Sequence, residues 1–473
     1  MVKTEIIRFG TSGWRAIIAD KFTFENVRLV SQAIADHLKN DNHSPKVVIG
    51  YDTRFLSGNF AKICAQVLAE NKIKVLLSDR DTPTPVIAYH IIAKSLDGGI
   101  NFTASHNPPE YNGIKFSPSY GGPAPKEVTA AIEQRISFLQ KNPDLIKKGT
   151  SDKRFIEMLD PSKEYLKRLN KIIDISCIKK AKLKVGIDCM FGTSRKYIDS
   201  ILKDLCKEIK VFKNYLNPLF GGLPPEPDKP YIQELIKHVK NNKFHLGVSC
   251  DGDADRFGIV DKGGVFLTPN EVITLLFYYL LKTRPKAKKV VRTLSTTHMI
   301  DAIAKKEGIE VIETPVGFKY IGEAIDKGDC IIGGEESGGL SIQGHVPEKD
   351  GILACLLAVE MVARERKSLC AILSSLHKKY GYFVSDRLNL HLNQKQKGIL
   401  LKRIENLSKK EKFGNFRIES KNLTDGYKFM LNDNCWVMFR PSGTEPVIRC
   451  YFEATSRKNF LYLKLLINQF TSC

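Results

Sequence analysis

Three related α/β domains followed by a smaller α+β domain, set around a central cleft, are the architecture this sequence predicts. Three observations carry the prediction. A unit of apolar strand, polar loop and amphipathic helix recurs three times, which means βαβ pairs and a mostly parallel sheet. Beyond Tyr380 that pattern gives way to alternating strand-like runs joined by Lys- and Asn-rich turns. Most of the polar motifs follow a predicted strand, where open α/β sheets gather ligands.

The first copy opens with Arg8-Phe9-Gly10-Thr11-Ser12-Gly13-Trp14-Arg15. Its two glycines let backbone amides approach an anion closely, and Arg15 adds a fork of donors. A helix with Phe24, Val27, Val30, Ile34 and Leu38 on one face follows. A strand over residues 47–50 ends in Tyr51-Asp52-Thr53-Arg54, a helix covers residues 59–70, and residues 75–77 form another strand. The second copy runs from a strand at 185–188 into Phe191-Gly192-Thr193-Ser194-Arg195. The third runs from 290–293 into Ser295-Thr296-Thr297-His298. Residues 218–230, rich in Pro and Gly, read as a loop inside the second copy. The expected domains are residues 1–150, 151–265, 266–380 and 381–473.

A chain of 473 residues is too long for one core, and at roughly 150 residues per domain it divides into three or four. With 42% apolar and 26% charged residues the composition is that of a globular protein. No apolar run reaches the roughly 18 residues that a membrane span needs. The start, MVKTEIIRFG, lacks the apolar core of a signal peptide, so the cytoplasm is expected. Eleven cysteines without a C-x-x-C pair read as small buried hydrophobes in a reducing compartment. The net charge of +21 invites a nucleic-acid reading. However, the lysines spread through stretches such as 179–184, 203–213 and 402–412, with acids nearby. No basic stripe is interleaved with aromatics. The expectation is a lysine-rich solvated surface that gathers an anionic substrate, with no nucleic-acid or membrane partner, in a monomer or dimer.

Four stretches carry groups suited to chemistry. In Thr103-Ala104-Ser105-His106-Asn107-Pro108-Pro109, the prolines stop any helix and present Ser105 on a tight loop beside His106. With Lys115 ten residues on, that hydroxyl reads as a nucleophile or covalent carrier. A polar turn with an incidental lysine is the plainer reading. The Gly-x-Ser-x-Gly elbow of acyl hydrolases is absent. Asp251-Gly252-Asp253-Ala254-Asp255-Arg256 follows a strand at 246–249 and sets three carboxylates at alternate positions. An EF-hand is excluded by Arg256 at its sixth position and Lys262 at its twelfth. Three carboxylates leave coordination positions open, which suits Mg²⁺ held jointly with a phosphoryl group.

The stretch Gly333-Gly334-Glu335-Glu336-Ser337-Gly338-Gly339, after a strand at 330–332, reads as a loop whose acids and hydroxyl suit sugar hydroxyls. Just upstream, Thr314-Pro315-Val316-Gly317-Phe318-Lys319 places another lysine at a strand end. Arg440-Pro441-Ser442-Gly443-Thr444-Glu445-Pro446, closed by Arg449, is an oxyanion cradle that fits phosphate. No G-x-G, GxxxxGK[ST] or HExxH motif occurs, which leaves ATP-driven transfer and zinc proteolysis unsupported. Together the pieces describe a phosphoryl group moving between Ser105 and a phosphorylated sugar, while the cradle grips a second phosphate.

In this order FGTSGWR, TASHNPPEYNGIKF, DGDADR, GEESGG and RPSGTEP resemble the α-D-phosphohexomutase superfamily, the phosphoglucomutase/phosphomannomutase family, along the whole chain. The resemblance implies four domains around a deep cleft and a resting phosphoserine at Ser105. The Mg²⁺ ligands would be that phosphate with Asp251, Asp253 and Asp255. It implies transfer to a hexose monophosphate, a hexose 1,6-bisphosphate that turns over in the cleft, and return of the other phosphate. Lys115 would be the general acid/base, its pKa lowered by burial and nearby cations, with His106 beside the serine and Arg15 and Arg256 stabilising charge. Glu335 and Ser337 would hold the sugar. Thr11, Ser12 and Gly317 would line the substrate site, and Arg440, Ser442, Gly443, Thr444 and Arg449 would hold the idle phosphate.

One departure stands out. Mannose-acting relatives carry His at the end of the sugar loop, where this chain has Gly339, so the loop lies closer to the glucose enzymes. Lys319 is then expected as the partner base or phosphate contact. Glucose phosphate is the favoured substrate, with mannose and glucosamine phosphates as rivals. A Ser-phosphorylated metal phosphatase and a catalytically silent sugar-phosphate sensor are the alternatives from other classes.

Overall fold

The computed structural model describes residues 7–10, 13–284, 288–442 and 447–472. Among the described residues the first unit has a six-stranded sheet: β1 (Trp14–Ile17), β2 (Lys46–Tyr51), β3 (Lys74–Ser78), β4 (Gly98–Phe102), β5 (Tyr111–Pro118) and β6 (Ile156–Leu159), in the order β1-β5-β4-β2-β3-β6. The second sheet holds β7 (Lys184–Asp188), β8 (Glu208–Phe212), β9 (Leu246–Cys250), β10 (Phe257–Asp261) and β11 (Val265–Leu267), in the order β11-β10-β9-β7-β8. The third holds β12 (Lys289–Thr293), β13 (Glu310–Thr314), β14 (Cys330–Glu335) and β15 (Gly339–Ile342), in the order β13-β12-β14-β15.

Set side by side, these sheets contain one motif three times. The strand after which the polar loop and helix follow (β2, β7 or β12) pairs in parallel with two neighbours, and one of those then turns back as an antiparallel hairpin. The three repeats read from the sequence are therefore present. The expected parallel pairing holds the centre of each sheet, and the hairpin edges are antiparallel. Those hairpins matter, because the serine loop (β4 to β5), the aspartate loop (β9 to β10) and the sugar loop (β14 to β15) occupy the same position in the three repeats.

Two expected boundaries shift. β6 pairs in parallel with β3, so the first unit extends past residue 150. β11 pairs with β10, so the second extends past 265. The expected loop at 333–339 is also shorter than it reads. Gly333, Gly334 and Glu335 continue β14, and only Glu336, Ser337 and Gly338 form the turn. Glycines in the strand disguised it, because they leave room for the packed side chains of Ile321 and Ile273.

The second and third units share one hydrophobic core. The helix Gly351–Glu365, apolar on all sides, packs on β9, β10 and β15 together. The first and fourth units have cores of their own. The fourth is an antiparallel sheet of β16 (Val384–His391), β17 (Lys412–Phe413), β18 (Phe416–Asn422), β19 (Tyr427–Leu431), β20 (Cys435–Pro441) and β21 (Val447–Ala454), in the order β16-β21-β20-β19-β18-β17. Its strands alternate: Val437 and Phe439 face that domain's own core, whereas Trp436 and Met438 pack with Leu294 of the third unit. Among the described residues no helix is long and apolar enough to cross a membrane, and the described cysteines are all free.

Candidate active site

The serine loop and the aspartate loop meet backbone to backbone. A Cβ on Gly252 would lie 2.8 Å from the Ser105 carbonyl oxygen, so only glycine allows this approach. Ser105 is buried and in the left-handed region, at φ 52°, a conformation that costs a non-glycine residue about 1–2 kcal/mol. The surroundings hold it there. Ser105 N–H donates to Thr103 Oγ1 at 2.8 Å. The buried Arg54 guanidinium donates to the carbonyls of Ser105 (2.7 Å), Asn107 (2.6 Å), Pro108 (2.7 Å) and Tyr111 (2.9 Å), while Asp52 accepts from its Nε at 3.1 Å. Arg54 thus fixes the loop from beneath.

Ser105 Oγ donates to Asp251 Oδ2 at 2.8 Å, across the boundary between the first two units. Asp251, Asp253 and Asp255 are fully buried, and their ligand oxygens lie within 4.8 Å of one another. Lys115 Nζ donates to Asp253 Oδ2 at 2.6 Å and Asp255 Oδ2 at 3.1 Å. Thr84 donates to Asp253 Oδ2 at 2.6 Å, and its own oxygen accepts from Asn101 Nδ2 at 2.6 Å. Arg15 donates to Asn107 Oδ1 at 2.7 Å. His106 Nδ1 stands 3.4 Å from Ser105 Oγ. Arg256 donates its backbone N–H to Asp251 Oδ1 at 3.0 Å and pairs with Glu226 at 3.4 Å.

The charges sort the acids. Burial, with Asp253 and Asp255 adding repulsion, pushes Asp251 well above the usual carboxylate range. Burial would raise Asp255 too, but Lys115, Lys349 and Arg256 outweigh it and hold the carboxyl well below that range. Burial, then Arg256 and Arg15, hold His106 well below an ordinary imidazole, so it is neutral. Lys115 departs from expectation. Burial works to lower its pKa, but Asp253 and Asp255 prevail and raise it, so the ammonium stays charged. Asp253 Oδ1 and Asp255 Oδ1 are buried with no hydrogen-bond partner. Two orphaned carboxylate oxygens in an all-oxygen cluster fit a hard divalent cation.

A second lysine completes the cluster. Lys349 Nζ lies 2.8 Å from Asp255 Oδ2. Its stem runs where a side chain at 339 would stand: a Cβ on Gly339 would fall 2.3 Å from Lys349 Cδ. The departure at Gly339 thus makes room for a lysine from elsewhere in the fold. Lys319, expected as the partner base or phosphate contact, holds its ammonium 4.8 Å over the Tyr320 ring. Beside Lys349, burial raises Glu348 to about 7. Arg54, Thr84, Lys349 and Glu348 are the site residues that the sequence reading missed.

The sugar hairpin borders this cluster. Ser337 donates to Glu335 Oε1 at 2.7 Å, and Glu335 is buried within electrostatic reach of Arg256 and Lys349. In the fourth unit, Arg440 pairs with Asp425 at 3.0 Å, and Asp425 also accepts from Val316 N–H at 2.8 Å, beside Gly317. Arg449 stands directly across from Arg440 in the sheet, and Ser442 N–H closes the strand end onto Val447 at 2.8 Å. Thr11, Ser12, Gly443 and Thr444 lie outside the described residues.

Comparison with known proteins bears directly on this arrangement. Models of the phosphoglucomutase/phosphomannomutase family match in order: alpha/beta/alpha domain I at residues 7–142, domain II at 163–264, domain III at 268–380 and the C-terminal domain at 388–465. The chain belongs to the phosphoglucomutase/phosphomannomutase family. A phosphoglucomutase of Komagataeibacter xylinus is 30% identical, over 98% of this chain and 90% of that protein. A phosphoglucosamine mutase of Clostridium botulinum is also 30% identical, over 95% of each. A crystal structure from Thermus thermophilus is 31% identical, with a TM-score of 0.84 over 98% of this chain and 99% of that one. As a family member the protein is an isomerase-class phosphotransferase; relatives named for different sugars stand equally near.

Proposed function

We propose that this enzyme interconverts hexose 1-phosphate and hexose 6-phosphate, with glucose as the preferred sugar, through phosphoserine at Ser105 and a hexose 1,6-bisphosphate. The observation that carries the reading is Ser105 Oγ at 2.8 Å from Asp251, inside a buried triplet of aspartates flanked by lysines. The free hydroxyl of the sugar phosphate attacks phosphorus on Ser105; a new P–O bond to the sugar forms as the bond to Oγ breaks. The bisphosphate reorients and its other phosphoryl group returns to Oγ. Asp251, Asp253 and Asp255, with the serine phosphate, would hold Mg²⁺, which neutralises charge on the transferring group when bound.

In so loose a transfer, positioning and charge carry most of the rate. Lys115, Arg15, Arg256 and Lys349 bring positive charge to the transferring oxygens. Lys115 is the general acid/base, relaying the hydroxyl proton to Ser105 Oγ as that bond breaks; charged beside Asp253 and Asp255, it gives its proton before it takes one. Glu335 and Ser337 hold the middle of the sugar in either orientation, and Arg440, Ser442 and Arg449 grip the idle phosphate.

Comparing kcat/KM for glucose, mannose and glucosamine 1-phosphates, with bisphosphate present, tests the proposal. Glucose phosphate should lead and Ser105→Ala should lose several orders of magnitude, roughly 10⁴-fold or more. A preference of about a hundredfold for another sugar would reassign the substrate. Equal turnover by Ser105→Ala would exclude the covalent route.

A further inference from the structure

Glu336 stands between the two sugar-reading residues, at the tip of the β14–β15 hairpin, yet its contact lies in another domain. Its Oε2 is 3.3 Å from Arg387 Nη1 on β16 of the fourth unit. Glu336 is 10% exposed and Arg387 26%, so this pair is better shielded than an ordinary surface bridge. Both line a cavity of about 170 Å³ where the second, third and fourth units meet, with Arg256, Glu226, Ser337 and Trp436. The charges of Arg256 and Arg449 also act on Glu336, and those of Glu226 and Asp228 on Arg387.

The register of the fourth sheet gives the pair its meaning. Asn389 is opposite Arg449, and Arg449 is opposite Arg440. Residues two apart on a strand, and residues directly across, share a face. Arg387, Arg449 and Arg440 therefore project from one face, the face that packs on the third unit. Glu336 ties the sugar-reading hairpin to the sheet that carries the phosphate grip. Without its charge, Arg256, Arg387 and Arg449 would confront one another across the seam.

We propose that the Glu336–Arg387 pair is an interdomain clasp, a positioning device that keeps the bisphosphate in the cleft while it turns over. Neither residue touches the transferring group. Breaking the clasp lets the fourth unit part from the hairpin, so the intermediate escapes more often while phosphoryl transfer itself is preserved. This inference rests on the bisphosphate reading above.

The experiment compares wild type with Glu336→Gln, Arg387→Gln and the double variant. Three quantities are read: KM for glucose 1-phosphate, glucose 1,6-bisphosphate released per turnover, and single-turnover transfer from phosphorylated enzyme. Each single variant should raise KM and release about tenfold, the double should be no worse than either, and single-turnover transfer should stay within about twofold. Arg387→Lys keeps the charge and should recover most of the wild-type retention, which serves where Glu336→Gln unfolds. Wild-type release from both single variants overturns the clasp, as do additive losses in the double or a matching fall in single-turnover transfer. Failure of the bisphosphate reading looks different: no phosphoenzyme forms in any variant, wild type included.

Discussion

The two ends of this active site are built on different plans. At the serine end, two units meet through backbone contact and side-chain hydrogen bonds of 2.6–2.8 Å among fully buried groups, with Arg54 bracing the loop. At the far end, among the described residues, the fourth unit meets the β14–β15 hairpin through the Glu336–Arg387 pair at 3.3 Å, and its Asp425, paired with Arg440, accepts from Val316 N–H of the third unit. The proposed mechanism accounts for the difference. Under it, charge develops at one fixed phosphorus, so the groups around it must be in place beforehand, whereas a bisphosphate that turns around would need a grip that can loosen and re-form.

The largest effect expected after loss of the serine itself comes from the rigid end. Asp253→Asn neutralises one of the proposed metal ligands, which is also a partner of Lys115 and Thr84. It should lower kcat by about 10³-fold, and chelation of divalent cations should silence the wild type reversibly. Activity that survives both would show that the buried triplet is structural.

Gly339→Ala probes the border between the two ends. The added methyl meets Lys349 at 2.3 Å and must push its stem aside, so kcat should fall about tenfold. Lys349→Ala combined with it should be no worse than Lys349→Ala alone. A full-rate Gly339→Ala enzyme would remove Lys349 from the chemistry.

The smallest effect belongs to the seam under the fourth unit. Lys428 is buried there, 2.7 Å from the Leu294 carbonyl and 2.9 Å from His298 Nε2, over the Trp436 ring. Burial first, then Arg292, lowers its pKa from 10.5 to about 8. Between those values the unfolded chain binds a proton that the native one does not. Stability from this group therefore rises with pH across that window, by about 3 kcal/mol in all. Lys428→Met should flatten the rise in urea melts taken from pH 8 to 10.5. An unchanged slope would show that Lys428 does not sense the seam.

What was legible in the sequence shares one trait. Ser105 and the three aspartates sit in short polar loops, and Glu335 and Arg440 at or near strand ends, where neighbours in sequence are also neighbours in space. Arg54 was visible only as the end of a strand, because the carbonyls it holds belong to a loop about fifty residues on. Lys349 belongs to none of the motifs read from the sequence. Its partner Asp255 and the space it needs at Gly339 come from other segments, and local pattern reports no such meeting. β6 was invisible for another reason: its face is half polar, as an edge strand's can be. The Lys115 shift was misjudged because burial and nearby cations were weighed, while the decisive carboxylates, Asp253 and Asp255, arrive from another unit.

The most direct measurement is to incubate the enzyme with glucose 1,6-bisphosphate and Mg²⁺, digest it, and locate phosphate by mass spectrometry. One phosphoryl group is predicted, on Ser105, and it should leave when glucose 1-phosphate is added and appear in the bisphosphate. Phosphate on another residue, or an active enzyme that never carries phosphate, would contradict covalent transfer through this serine.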